Sequence, residues 1–153
     1  MRSDATLASV MNRVRVLLAE DRPAMAEQLG ALLSQEFEVI GMVEDGLSLL
    51  KAARQMAPDV VVTDISMPGL DGLEAAQQLK QDHAGLCVVF ITVHSDPQLV
   101  ARAMTLGKCG YVLKSVAGED LLAAVKAVVA GESFVSRSVG IHDGAMTPSE
   151  SQR

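Results

Sequence analysis

Val60-Val61-Val62-Thr63-Asp64-Ile65-Ser66-Met67-Pro68-Gly69-Leu70-Asp71-Gly72 passes from a β-branched apolar run into an acidic residue, then into a loop broken by proline and glycine. A run this short, rich in β-branched residues and apolar throughout, reads as a strand covered on both faces. Apolar residues then continue at helical spacing through Leu79. The stretch is therefore one strand–loop–helix unit, with Asp64 at the carboxyl end of its strand.

The same unit recurs on either side. Val14 to Ala19 predicts a first strand, followed by a helix with Pro23 near its start and Met25, Leu29, Leu32 and Leu33 at helical spacing. Phe37 to Val43 predicts a second strand, and Leu47, Leu50, Ala53 and Arg54 a second helix that ends before Pro58. Leu86 to Ile91 predicts a fourth strand. Ser95 is placed to cap the helix that follows, with Pro97 in its first turn and Gly107 at its end. Cys109 to Leu113 predicts a fifth strand, and Gly118 to Ala130 a last helix stopped by Gly131.

Apolar strands alternating with helices predict a parallel sheet covered on both sides. Five such units are too few for an eight-fold barrel. An open, doubly wound α/β sheet is the fold expected, and such sheets bind ligands beyond the carboxyl ends of their strands. Glu20 and Asp21 follow strand one, Asp64 follows strand three, Thr92 ends strand four and Lys114 follows strand five. With the flavodoxin-like strand order 2-1-3-4-5, strands one and three are neighbours, and Glu20, Asp21 and Asp64 share one crevice.

Over residues 14–131 the sequence resembles a bacterial two-component response-regulator receiver domain. The residues that carry the resemblance are Leu18-Ala19-Glu20-Asp21, Val62 to Gly72, Ile91-Thr92 and Gly110-Tyr111-Val112-Leu113-Lys114. The resemblance implies that Asp64 is a phosphoacceptor in a Mg²⁺-dependent reaction, with a sensor histidine kinase or a small acyl phosphate as donor. It implies Asp21, Asp64 and the backbone carbonyl of Ser66 as metal ligands, with Glu20 acting through water. Lys114 would bind the incoming phosphoryl oxygen, and Thr92 and Tyr111 would form the switch, Thr92 moving to the phosphoryl group and Tyr111 turning inward. The chain would then be a signalling phosphoacceptor rather than an enzyme with a separate substrate, and phosphorylation would promote a homodimer.

The chemistry supports the constellation without the family. A carboxylate attacks a phosphoryl group poorly until the negative charge is neutralised, which Mg²⁺ does through oxygen ligands. Lysine is a compact point charge suited to a phosphoryl oxygen. Each residue alone also has a plainer reading. Asp21 reads as a helix cap before Pro23, Asp71 as the cap of the helix at Gly72, Thr92 as a solvated strand end and Lys114 as a surface lysine. Tyr111 reads as packing in an edge strand, and His94, beside the phosphoryl entry path, as incidental or as a residue that tunes hydrolysis. Four coincidences at strand ends favour the shared site.

Three departures from the family pattern stand out. Glu20 replaces the commoner aspartate. Val93 stands where a small residue is preferred, which implies slower phosphodonor access. Lys114 precedes Ser115 rather than proline, and a cis bond there would cost about 2.5–4 kcal/mol, so the turn is either strained or trans. Two other classes compete. A haloacid-dehalogenase-type enzyme needs an acid two residues after its nucleophile, where this chain has Ser66. A pseudo-receiver keeps the fold for protein binding without phosphorylation. A flavodoxin-like nucleotide binder would need a glycine-rich phosphate loop after strand one, and none follows.

Composition bounds the rest. The chain has 153 residues, 49% of them apolar, enough to build one core, but only 3% aromatic, so aliphatic residues and eight Met must fill it. Nineteen acidic against thirteen basic residues give a net charge of −6, which argues against direct binding to nucleic acid. No apolar run is long enough for a spanning helix and the N-terminus lacks a signal-peptide core, so a cytoplasmic protein without membrane contact is expected. Cys87 and Cys109 have no metal-ligand spacing and read as core residues. Residues 1–13 read as a flexible extension. Residues 132–153 read as a linker, and its Met146-Thr147-Pro148-Ser149-Glu150 resembles the opening of the helix-turn-helix domain of LuxR-type (NarL/FixJ-like) regulators. Any contact with DNA would then run through a C-terminal domain absent from this sequence.

Overall fold

A computed structural model describes residues 14–137. The elements in order are β1 (Arg15–Ala19), α1 (Pro23–Leu33), β2 (Glu38–Val43), α2 (Gly46–Met56), β3 (Val60–Asp64), α3 (Gly72–Asp82), β4 (Cys87–Thr92), α4 (Pro97–Met104), β5 (Gly110–Leu113), a 3₁₀ turn (Lys114–Val116), α5 (Ala117–Val129) and β6 (Phe134–Val135). The strands form one parallel sheet in the order β2-β1-β3-β4-β5-β6. The expected doubly wound order 2-1-3-4-5 is present, extended by a sixth strand.

Alternation along each strand sends side chains into two cores. Val16 and Leu18 of β1, Val60 and Val62 of β3, and Val89 and Ile91 of β4 pack under Leu29 and Leu33 of α1 and Leu121, Val125 and Val128 of α5. Leu17, Val61 and Phe90 face the other way, against Leu49 of α2, Leu73 and Leu79 of α3, and Ala103 of α4. With only three Phe and one Tyr in the chain, short aliphatic groups carry both layers, and β3 is buried along its whole length.

Helix ends are set locally. Asp45 caps α2 by accepting from Ser48 N at 2.8 Å, and Asp71 caps α3 by accepting from Glu74 N at 2.8 Å, as its plainer reading predicted. The cap of α4 is Asp96, whose carboxylate accepts from Gln98 N at 2.9 Å, and not Ser95. Pro97 occupies the first helical position, which makes the residue directly before it the cap. At the far end of α2, Ala57 is left-handed (φ 49°) and the Arg15 guanidinium donates to the carbonyls of Met56 and Ala57, each at 2.8 Å.

β6 lies beyond the expected receiver boundary at residue 131. Phe134 and Val135 pair with Gly110 and Tyr111, so β5 is not an edge strand and the sheet reaches into the stretch read as linker. The expected extension 1–13 and the rest of the tail, 138–153, lie outside the described residues.

Candidate functional site

The strand ends converge as the βα alternation required. β3 lies between β1 and β4, with β2 on the far side of β1, so the chain reverses direction across the sheet at β1 and β3. Carboxylate oxygens of Glu20, Asp21 and Asp64 lie within 4.8 Å of one another there. Glu20 and Asp64 are 1% and 5% exposed, and Asp21 is half-buried.

Each acid is held by its own backbone context. Glu20 donates its N–H to the Val43 carbonyl at 2.9 Å, and its Oε2 accepts from Arg22 N at 3.0 Å, which turns the side chain inward. Asp21 does not cap α1. The cap position is Arg22 and no side chain bonds there, because a guanidinium has only donors and cannot accept from the first-turn N–H groups. Asp64 Oδ1 accepts from Ser66 N at 3.1 Å, which bends the loop back over the strand end.

Gly72 lets that loop close. Its N–H donates to Ile65 O at 2.8 Å, and a Cβ at this position would stand 1.9 Å from the Asp64 carbonyl oxygen. Gly46 meets the same loop from α2, where a Cβ would stand 2.0 Å from Leu70 O.

Lys114 reaches into the cluster from β5. Its Nζ donates to Asp64 Oδ2 at 2.8 Å and lies 2.7 Å from Glu20 Oε1. The contact with Glu20 is a charge contact off the hydrogen-bonding direction, so this buried oxygen has no hydrogen-bond donor. Burial alone would lower the lysine pKa, but the hydrogen bond to Asp64 and the charges of Asp64 and Glu20 outweigh it and hold the ammonium above its usual value. The bond to Ser115 is trans, as is every described peptide bond, and Lys114 still reaches Asp64.

Three carboxylates against one ammonium leave the cluster two charges negative, with one buried oxygen lacking a donor. All the available donors are hard oxygens. That set fits a divalent hard cation such as Mg²⁺. Among the described residues, the Glu20/Asp21/Asp64 cluster is the one group of acids, histidines or cysteines arranged to hold a metal ion. Cys109, whose thiol burial pushes up to about 11, and Cys87 are free thiols away from it.

The expected switch residues lie one step further along the sheet. Thr92 is buried and its Oγ1 accepts from His94 N at 3.1 Å. Tyr111 is buried, with its hydroxyl donating to His94 O at 3.1 Å. The sequence reading has Tyr111 turning inward on activation; in this structure it already lies inside. His94 Nε2 stands 3.4 Å from Ser66 Oγ, so the loop after β4 and the loop after β3 touch over the site. Val93, beside Thr92, is 69% exposed. Sequence reasoning missed Ser136, which is buried and bonds both Leu113 and Asp120. The apolar pair Phe134-Val135 before it was the available signal.

The family profile for the response regulator receiver domain matches residues 16–126. This chain belongs to that family. The receiver domain is 31% identical over 128 residues to the response regulator GacA of Pseudomonas viridiflava, covering 82% of this chain and 60% of GacA. It therefore spans about three fifths of the length of that curated relative. Among solved structures it resembles a LuxR-family two-component response regulator from Aurantimonas sp. SI85-9A1, with TM-score 0.79 and 27% identity, covering 83% of this chain and 92% of that one. It also resembles the isolated receiver domain of RcsB from Salmonella enterica serovar Typhimurium, solved with the phosphomimetic BeF3⁻, with TM-score 0.77 and 29% identity, covering 84% and 96% of the two chains. A further structure holds two RcsB dimers bound to two parallel DNAs. Among the described residues no helix is long and apolar enough to cross a membrane.

Proposed function

We propose that this receiver domain takes a phosphoryl group on Asp64 and relays that event to an output carried by another part of the protein. The observation that carries the reading is the buried Asp64 carboxylate, held by Ser66 N and Lys114 beside Glu20 and Asp21. An Asp64 oxygen attacks phosphorus, the new P–O bond forms, and the bond from phosphorus to the donor's nitrogen or oxygen breaks. The leaving group keeps the electron pair and is then protonated. A sensor histidine kinase or a small acyl phosphate is the donor.

Asp21 and Asp64 would hold Mg²⁺ directly with the Ser66 backbone carbonyl, and Glu20 would act through water. When bound, the ion supplies neutralisation of charge on the transferring group. Lys114 gives up part of its contact with Asp64 and donates to a phosphoryl oxygen. Thr92 turns its hydroxyl from His94 N toward the same group. Because Tyr111 is already bonded to the His94 carbonyl, the loop through His94 is the two-state element that the phosphoryl group biases.

The full protein would work in the cytoplasm, dimerise on phosphorylation and contact DNA through a separate C-terminal domain. The structure of two RcsB dimers bound to two parallel DNAs supports that part of the reading. Intact mass after incubation with acetyl phosphate tests the chemistry. A gain of one phosphate that requires both Mg²⁺ and Asp64, absent in Asp64→Ala, is expected. No gain in a folded chain with Mg²⁺ bound would overturn the reading in favour of a phosphorylation-independent binding module.

A further inference from the structure

β5 carries Lys114 at its end, and β4 pairs with β5 as far as Leu113, opposite Thr92. On the other side β6 pairs only as far as Tyr111. The ladder stops three residues short of Lys114, yet Leu113 N is buried and satisfied. Its partner is a side chain: Ser136 Oγ, at 3.1 Å.

The same hydroxyl donates to Asp120 Oδ2 at 2.8 Å, in the first turn of α5, and Ser136 N donates to Tyr111 O at 2.8 Å. Ser136 is 1% exposed. One buried hydroxyl therefore joins β5, β6 and α5 immediately before Lys114. A hydrogen bond to a carboxylate is stronger than one between neutral groups, which fixes the direction of the Ser136 O–H and leaves its lone pairs for Leu113.

Lys114 needs such support. Two inter-strand spacings, about 10 Å, separate β5 from β3, so its ammonium reaches Asp64 with little slack. The residue after it is Ser115 on a trans bond, so no proline ring fixes the turn. A shift of the Leu113 peptide would move the backbone from which Lys114 reaches the cluster.

We propose that Ser136 is a positioning residue for Lys114. It also ties the segment leaving the sheet toward any output domain to the phosphoryl site. This rests on the reading of Asp64 and Lys114 as phosphoacceptor and phosphoryl ligand. Asp120 is part of the device, since it orients the hydroxyl.

Initial rates of Asp64 phosphorylation by acetyl phosphate at saturating Mg²⁺ test it, in Ser136→Ala, Ser136→Thr, Lys114→Ala and the Ser136→Ala/Lys114→Ala double variant. A misplacement near 1 Å costs up to about 100-fold, and Lys114 keeps its two carboxylate contacts, so Ser136→Ala should slow the reaction about tenfold. Ser136→Thr, which keeps the hydroxyl, should recover most of the rate. In the Lys114→Ala background Ser136→Ala should change nothing, since pairwise coupling vanishes once the partner is gone.

A wild-type rate in Ser136→Ala, or equal slowing with and without Lys114, overturns the inference while leaving the phosphoacceptor reading intact. Failure of the unaltered chain to take phosphate would overturn both. Should Ser136→Ala not fold, Asp120→Asn probes the same hydroxyl with the strand pairing kept. Slowing of about threefold is then expected, and an unchanged rate sinks the idea.

Discussion

Gly72→Ala tests how tightly the loop after β3 is built around Asp64. The added methyl would stand 1.9 Å from the Asp64 carbonyl oxygen, 2.9 Å from its carbon and 2.9 Å from Thr63 Oγ1. Carbon–oxygen contacts settle near 3.3 Å, so something must move by about 1.4 Å. The obstacle is the backbone of a buried central strand, with no flexible side-chain end to yield. Forced overpacking of this kind costs about 1–3 kcal/mol. Alanine's helix preference returns up to about 1 kcal/mol, and less at a first helical position, which leaves a loss near 2 kcal/mol. For a domain of this size that lowers Tm by about 8 °C. Displacing Asp64 by an ångström should also slow phosphoryl transfer about 100-fold. Thermal unfolding by circular dichroism and initial rates with acetyl phosphate read the two effects. Gly118→Ala, where a Cβ meets nothing within 4 Å in α5, is the control and should raise Tm slightly. Wild-type Tm and rate in Gly72→Ala would refute the close-approach argument.

Tyr111 is the chain's single tyrosine and there is no tryptophan, so absorbance near 295 nm reports its ionisation alone. Burial, then the charge of Asp96, pushes its pKa up from 10.0 to about 12; a midpoint at the ordinary value would show that the ring is not inside. Because the folded form holds this proton more tightly than the unfolded chain, the associated stability is complete below pH 10 and is lost as pH rises toward 12, measurable as a falling urea midpoint. Mg²⁺ should raise Tm, by the equivalent of about 2.7 kcal/mol at 100 times its Kd, and Asp21→Ala should remove most of that gain. An equal gain in both proteins would mean that the ion binds elsewhere. Ending the chain at residue 131 rather than 137 removes β6 and leaves Leu113 N and Asp120 without the Ser136 hydroxyl, at about 1–3 kcal/mol per stranded group. Equal unfolding midpoints for the two lengths would show that β6 contributes nothing.

The acidic cluster was legible because a parallel sheet places every strand's last residue on one edge, so reading where Ala19, Thr63, Ile91 and Leu113 end their runs also located Glu20, Asp64, Thr92 and Lys114. β6 was not legible. Two residues give no period, and one of its ties to the sheet is the hydroxyl of Ser136, a residue type that ordinarily marks a loop. The same omission made β5 look like an edge and so weakened the case for Tyr111, which is fully buried. Ser95 and Asp96 are both capping types, and only the rule that proline takes the first helical position separates them. The inward position of Tyr111 depends on a contact with the His94 carbonyl, seventeen residues away in sequence, which no local pattern records.

Gly46 and Gly72 clamp the loop after β3 from two helices, each against a carbonyl with no room for one methyl. Sequence drift is thereby channelled away from the Asp64 carboxylate. Copies of such a gene can diverge at outward positions such as Gln98 and acquire different donors and listeners while the loop beside Asp64 stays fixed. Insulation between parallel signalling lines within one cell can then evolve without retuning the reaction they share.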